Sequence, residues 1–380
     1  MMENNDPAKG FTVTPWEVKG DVDYDRLSRE FGIKKIDNEL EERIKEEAGE
    51  LHFLIRRGIF FGHRELGWIL DQYAKGNKFY VYTGIAPSGP MHIGHLAPFI
   101  MARWLQERFG AEVLIQIPDE EKFLQKKKLG ATLEELHEMA YDNAAYIMAM
   151  GFDPKNTRIF LDTEYAGTLY KQAVRVAKHV TFSMVKDAYG MGNDSNIGWI
   201  FYTSMQAVPA FLRSVEEGKN IPCLIPLGVD QDVHFRIARD VIEKLGYYKP
   251  AVIHNKFMPG LNGQQKMSAS DHLNTIYLKD TPEEVRKKVG RAFTGQQATA
   301  ELQRKHGGNP DICAVCQYYK FFFEPDDRLL EGIFKSERDG TLLAGEHKRD
   351  LAEKINAYLG GLNREKGRWE GRIRDFTSKG

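Results

Sequence analysis

Cysteine is scarce in this 380-residue chain: Cys223, Cys313 and Cys316 are the only three. That number is too small for a disulfide framework. Cys313 and Cys316 form one C-x-x-C, but a structural zinc site needs four ligands. His306 is the only nearby candidate, so the pair reads as two thiols one helical turn apart and no metal ligand is assigned. Long apolar runs are also missing. None approaches the roughly 18 residues of a membrane span, and the polar start Met1–Gly10 is not a signal peptide. A reducing cytoplasm is the expected setting, without a membrane partner. Charge of one sign is absent too, with 53 Lys and Arg against 54 Asp and Glu. The balance excludes a wholesale polybasic binder of DNA but leaves room for a local basic face. There is no internal repeat, no low-complexity tract and no G-x-x-x-x-G-K-[ST] loop, which disfavours the P-loop NTPases.

What is present is an ordinary globular balance, 42% apolar and 28% charged, in a chain long enough for about two domains. Residues 1–75 read as an N-terminal extension. Phe11–Val18 alternates like a strand with a bend at Pro15, and helical spacing follows over Asp23–Phe31 and Glu39–Leu54. The basic-aromatic run Arg56–Phe61 reads as a packed helix end or turn in preference to a nucleic-acid patch. From Phe79 strands alternate with helices. The run Phe79–Thr83 is followed by a Gly/Pro turn, a helix through Phe109 and the β-branched strand Val113–Ile117. That is a βαβ unit of an open α/β sheet. A helix over Leu133–Met150, a short strand at Arg158–Leu161 and more helix to about 220 come next. Strands at Cys223–Gly228 and Ala251–His254 complete the sheet. From Thr281, a cap followed by Pro282, the pattern is helical to the end. The expected fold is a Rossmann-like parallel sheet domain over 76–280, with a helical insertion at about 125–200, and an α-helical domain over 281–380.

One stretch organises the rest: Pro87-Ser88-Gly89-Pro90-Met91-His92-Ile93-Gly94-His95. A strand, a turn and a helix start converge backbone N–H groups and a dipole on one point, which suits phosphate. His92 and His95, three residues apart, face the same side. Gly94 lets a nucleotide approach the backbone. Far downstream, Lys266-Met267-Ser268-Ala269-Ser270 offers a cation and two hydroxyls on a loop. The set suits phosphoryl or nucleotidyl transfer, where positioning and charge stabilisation do most of the catalysis. Two core or metal-binding histidines are the plainer alternative for a lone H-x-G-H.

Met91–His95 and Lys266–Ser270 together resemble the HIGH and KMSKS motifs of class I aminoacyl-tRNA synthetases, with Ala269 where many members carry a second lysine. Thr14–Val18, Arg57–Phe61, Tyr80–Gly84, Lys178–Phe182 and Lys266–Asp271 are similar to the archaeal and eukaryotic tryptophanyl-tRNA synthetases, over nearly the whole chain. The resemblance implies ATP and Mg²⁺, L-tryptophan and tRNA(Trp), a homodimer formed through the insertion, and a C-terminal anticodon-binding domain. It also implies residue roles. Tyr82 and Gln116 would bind the indole N–H, and Glu121, Gln206 and Gln231 the ammonium group. His92, His95, Lys122, Lys266 and Ser268 would act on the phosphates. Thr83, Gly84, Pro87, Gly94, Asp230, Met267 and Ser270 would hold ATP. Without the family, Gln116 is a strand residue, Gln206 a helix polar group, and Asp119–Lys122 a solvated loop. The sister tyrosyl-tRNA synthetases place an Asp acceptor where this chain has Pro209, which favours tryptophan. A small-molecule adenylyltransferase also uses an H-x-G-H turn, but it leaves the helices after Thr281 without a purpose. A catalytically inert tRNA-binding paralogue is opposed by the intact His92, His95 and Lys266.

Overall fold

The computed structural model describes residues 11–13, 18–20, 22–125 and 130–378. Thr14–Glu17, with Trp16, fall outside them. Nine strands lie among the described residues: β1 (Phe11–Val13), β2 (Val18–Gly20), β3 (Lys34–Lys35), β4 (Phe60–Arg64), β5 (Tyr80–Gly84), β6 (Val113–Ile117), β7 (Thr157–Leu161), β8 (Cys223–Gly228) and β9 (Ala251–Asn255). β1 and β2 make a hairpin; the other seven form one sheet in the order β3-β4-β9-β8-β5-β6-β7.

From β9 to β7 every pairing is parallel. Parallel strands need both faces covered, and every residue of β6 and β9 is buried. The chain runs outward from β5 through β6 to β7, then returns to place β8 and β9 on the other side of β5. The switch point therefore lies between β5 and β8, where open α/β sheets bind ligands beyond the strands' carboxyl ends. The Thr83 hydroxyl donates to the Pro226 carbonyl at 3.1 Å across that junction.

Helix starts follow the local sequence. Thr132 caps α2 (Leu133–Ala149, preceded by α1, Leu96–Phe109) in a capping box with Glu135. The stretch expected as a helical insertion, 125–200, is interrupted by β7, which joins the sheet before α3 (Ala166–Ala177) and α4 (Ile197–Met205) follow. β8 leads into α5 (Asp232–Lys244). Thr281 caps α6 (Pro282–Gly290) with Glu284 as its box partner and Pro282 in the first turn. Then come α7 (Ala314–Tyr318), continued by a π-turn over Tyr319–Phe323, α8 (Asp327–Arg338) and the 27-residue α9 (Ala344–Glu370). Asn363 of α9 ties the helical region to the sheet domain, accepting from the Tyr146 hydroxyl at 3.0 Å and donating to the Leu278 carbonyl at 2.9 Å.

The N-terminal residues are more closely built in than an appended extension. β4 pairs antiparallel with β9 and carries β3 on its outer edge. The helix expected over Glu39–Leu54 ends at Ala48, because Gly49 turns into the left-handed region at φ 78°. The run expected as a helix end or turn is one through residues 56–59, after which Phe60 and Phe61 begin β4. This joint is held by charge. Arg64 grips fully buried Asp232 with two bonds of 2.9 Å, and His254 Nε2 lies 2.7 Å from the same carboxylate. Burial alone would raise the Asp232 pKa, but the hydrogen bonds from His254 and Arg64 hold it well below the usual carboxylate range.

Asp232→Ala should lower unfolding free energy by about 3–5 kcal/mol, since it leaves Arg64 without its buried partner. Denaturant unfolding checks this. A folded-state pKa below the unfolded value of 3.8 means the carboxylate's stabilisation is present at neutral pH and is lost only as the pH falls below that value.

Candidate active site

The two motif stretches form one site, and the backbone puts them together. The Ile93 N–H donates to the Ile276 carbonyl at 3.1 Å, and the Leu278 N–H donates to the Met91 carbonyl at 2.9 Å. His92 and Tyr277 face each other as an isolated antiparallel bridge. The segment following the lysine loop is thus stitched to the histidine turn. A Cβ on Gly94 would sit 3.0 Å from the His92 ring and 3.5 Å from Met267 Cβ, so the residue between the histidines is where the loop approaches. Met267 is buried, and its N–H is fixed to the Met258 carbonyl at 2.7 Å.

His92 and His95 stack with ring centroids 3.6 Å apart, on a single 3₁₀ turn that continues directly into α1. The His92 N–H donates to His95 Nδ1 at 3.2 Å, which makes Nδ1 the acceptor and leaves Nε2 to carry the proton. Burial pushes the His95 pKa down to about 4, helped by the Lys266 cation and opposed by Asp230. Burial likewise drives His92 well below 6.5, with His95 and Lys266 adding to the effect. Both imidazoles are neutral at physiological pH. They offer hydrogen bonds, not charges.

The Lys266 ammonium lies 2.8 Å from Asp230 Oδ2 and 4.9 Å over the Phe257 ring. Asp230 stands just past the end of β8, at the switch point. Ser268 and Ser270 share a bond of 2.9 Å on the exposed part of the loop, and Ala269 lends its carbonyl to the Tyr277 hydroxyl at 2.6 Å. The N-terminal segment meets the same loop. The Val22 N–H donates to Gln265 at 2.6 Å and the Phe257 N–H donates to the Tyr24 hydroxyl at 2.9 Å.

On the other side of the switch point, β5 and β6 carry a polar network. The Tyr82 hydroxyl donates to Gln116 Oε1, and Gln206 Nε2 donates to the Tyr82 oxygen at 2.9 Å and to Gln116 Oε1 at 3.3 Å. Glu121 joins through the Tyr202 hydroxyl, 3.2 Å from its Oε2; that hydroxyl also reaches Gln206. Pro87 is buried at the turn. Gly84, at the end of β5, lies so near β6 that a Cβ there would meet the Gln116 carbonyl oxygen at 2.5 Å.

Two site residues stand elsewhere than their expected roles suggest. Lys122 is paired with Glu121 at 2.6 Å, on the Tyr82 side of the site. Gln231 donates to Asp230 at 3.1 Å and so sits with the Lys266 group. Three contributors were not legible in the sequence. Asp162, fully buried, accepts from Gln116 Nε2 at 2.7 Å; burial and the nearby Asp119 push its pKa up to about 7. Glu120, raised by burial and Asp162, adds a further buried carboxyl. Tyr202 is the third. Asp162 follows a strand end and Tyr202 lies mid-helix, and neither belongs to a motif.

A phosphate-type turn and a cation-bearing loop at the switch point, beside a buried polar pocket, define a Rossmann-type nucleotidyl-transfer site. The family profile for tRNA synthetases class I (W and Y) matches residues 74–360. The tryptophan–tRNA ligase of Sulfolobus acidocaldarius is 49% identical over 93% of this chain and 91% of its own length. Among solved structures, a tryptophanyl-tRNA synthetase from Encephalitozoon cuniculi bound to tryptophan superposes with a TM-score of 0.86 at 33% identity, covering 94% of this chain and 98% of that one. That from Aeropyrum pernix gives 0.86 at 32% identity over 94% and 97%. The chain belongs to the class I tRNA synthetase family for tryptophan and tyrosine.

By ¹⁵N NMR, His95 should stay the neutral Nε2–H tautomer from pH 8 down to pH 5 and take up its proton only near pH 4. Titration near the ordinary 6.5 would contradict the burial argument. Because the unfolded chain binds that proton first, stability should fall as the pH drops from 6.5 towards 4.

Proposed function

We infer that the chain is a tryptophan–tRNA ligase, activating L-tryptophan with ATP and passing the tryptophanyl group to tRNA(Trp). The observation carrying this reading is the Tyr82–Gln116–Gln206 network lying across the switch point from His92, His95 and Lys266. A buried indole N–H needs an acceptor, and once Gln206, its more distant donor at 3.3 Å, gives way, Gln116 Oε1 supplies one. Its orientation is kept by the bond from Gln116 Nε2 to Asp162. A tyrosine hydroxyl finds less. Pro209 has no side-chain acceptor, and its carbonyl already accepts from Tyr80 at 2.9 Å. An unpaired buried hydroxyl costs about 1–3 kcal/mol.

In this reading Tyr82 and Gln116 bind the indole, Glu121 and Gln206 accept from the ammonium group, and Gln231 joins them once it releases Asp230. Thr83, Gly84, Pro87, Gly94, Asp230, Met267 and Ser270 hold ATP. The tryptophan carboxylate attacks the α-phosphorus in line and pyrophosphate leaves. The terminal ribose hydroxyl of the tRNA then attacks the adenylate carbonyl and AMP leaves. Neutral His92 and His95 donate N–H bonds to phosphate oxygens as their charge grows. Lys266 exchanges Asp230 for the leaving pyrophosphate, which frees Asp230 for the ribose hydroxyls. Ser268 adds a donor, and Lys122 contributes once it leaves Glu121.

Mg²⁺ fits as an ion carried by the nucleotide. Asp230, the carboxylate beside Lys266, is already engaged by Lys266 and Gln231. When bound, the ion neutralises charge on the departing pyrophosphate. We further propose a cytoplasmic homodimer. Exposed Tyr170, Val174, Phe182 and Ile197, on or beside α3 and α4, supply apolar surface for the contact, and the free thiols suit a reducing compartment. Residues 281–380 are proposed as the anticodon-binding domain, joined to the catalytic domain over 76–280 and the extension over 1–75.

Tryptophan, and not tyrosine, should support exchange of labelled pyrophosphate into ATP; the reverse result overturns the specificity. Lys266→Ala should slow that exchange by about 10²–10³-fold with tryptophan binding unchanged, as for loss of a group acting in the transition state. Asp162→Ala should raise KM for tryptophan about tenfold, the worth of one orienting hydrogen bond, and change kcat less. A fall in kcat at constant KM would show that Asp162 does not orient Gln116.

A further inference from the structure

The C-x-x-C that stood incomplete in the sequence is completed by the fold. Cys313 caps α7 and Cys316 lies in its first turn; Glu337 comes from the last turn of α8, and His347 from the first turn of α9. All four are buried, the most exposed being His347 at 2%. One donor atom from each lies within 4.8 Å of all the others. In a tetrahedral zinc site the ligand atoms stand about 3.3–3.8 Å apart, as metal–ligand bonds of about 2.0–2.3 Å require. The four groups need close by little more than about 1 Å to meet one ion.

Two of the donors have no other occupation. His347 Nε2 and Glu337 Oε1 are buried without a hydrogen-bond partner. Orphaned buried polar atoms are uncommon, and two in one cluster call for an explanation. The surroundings hold the donors in place. Gln296 Nε2 donates to Glu337 Oε2 at 2.7 Å, and His347 Nδ1 lies 3.1 Å from that same oxygen. The His347 ring stacks on Tyr319 at 5.2 Å between centroids. Backbone N–H groups of Cys316 and Gly295 approach the Cys313 sulfur. Two thiolates, an imidazole and one carboxylate form a borderline-soft set, which favours Zn²⁺ over Mg²⁺ or Ca²⁺.

We propose that Cys313, Cys316, Glu337 and His347 bind one structural Zn²⁺ that locks α7, α8 and α9 together. Four protein ligands leave no open coordination position, so the ion takes no part in catalysis. It acts as a clasp between three consecutive helices, where side-chain packing would otherwise have to fix their relative placement.

The full chain, purified from zinc-supplemented medium without chelator, should carry about one zinc per chain by mass spectrometric metal analysis. Reconstitution with Co²⁺ should give thiolate-to-cobalt charge transfer and the visible bands of a tetrahedral ion. Chelation should lower the thermal unfolding midpoint. His347→Ala and the double variant Cys313→Ser/Cys316→Ser should lose the metal, and Gln296→Ala should weaken zinc binding about tenfold by releasing Glu337. Unmodified chain that stays free of zinc after supplementation would overturn the proposal, as would variants that keep full zinc. A Cys313–Cys316 disulfide found by peptide mapping of alkylated protein would overturn it too. If the variants fail to fold, the cobalt spectrum of the unmodified chain decides, since an octahedral spectrum without charge transfer excludes the thiolates.

Discussion

The site depends on a short stretch of backbone pairing between residues 91–93 and 276–278. Through it the histidine turn is fixed at both of its ends: on one side by β5, on the other by the return of the lysine loop. Without it Lys266 would hang on a loop of Gly, Asn and Gln with no reason to face the phosphate position. With it, Met267 is buried while Ser268 and Ser270 at the tip stay exposed. Rigid feet and a free tip suit a loop that must change partners during a reaction without leaving the site.

The sheet supplies the second constraint. Because the parallel strands diverge at the β5/β8 junction, the proposed reaction assigns the two ends of an aminoacyl-adenylate to different strand pairs. Its phosphate end is assigned to the turn after β5 and the residues after β8. Its amino-acid end is assigned to β5, β6 and the segment after α4. Chemistry and specificity are thus carried by neighbouring but separate elements.

Much of this was legible in the sequence because it is local. Strand–turn–helix punctuation, the Thr281 cap and the β-branched run at Val113–Ile117 each declare themselves within a few residues, and the structure follows them. The two motifs likewise sit where their spacing implied, and Tyr82, Gln116 and Gln206 share one network. What escaped was non-local. Asp162 reaches Gln116 across adjacent strands, and Tyr202 reaches Glu121 from a helix some eighty residues on. The antiparallel return of β4 onto β9 could not be read from a region whose charge pattern looked like surface. Glu337 and His347 are likewise joined to the cysteine pair only by helix packing.

Among the described residues, the two lysines at the centre of the site are already paired. Lys266 lies against Asp230, Lys122 against Glu121, and both histidines are neutral. On the proposed function, an anionic nucleotide meets these cations already paired, and its capture draws on N–H dipoles at contact distance. Positive charge appears only when Lys266 changes partner. Capture on those terms should depend weakly on ionic strength, while the step that recruits the lysine carries the electrostatic work.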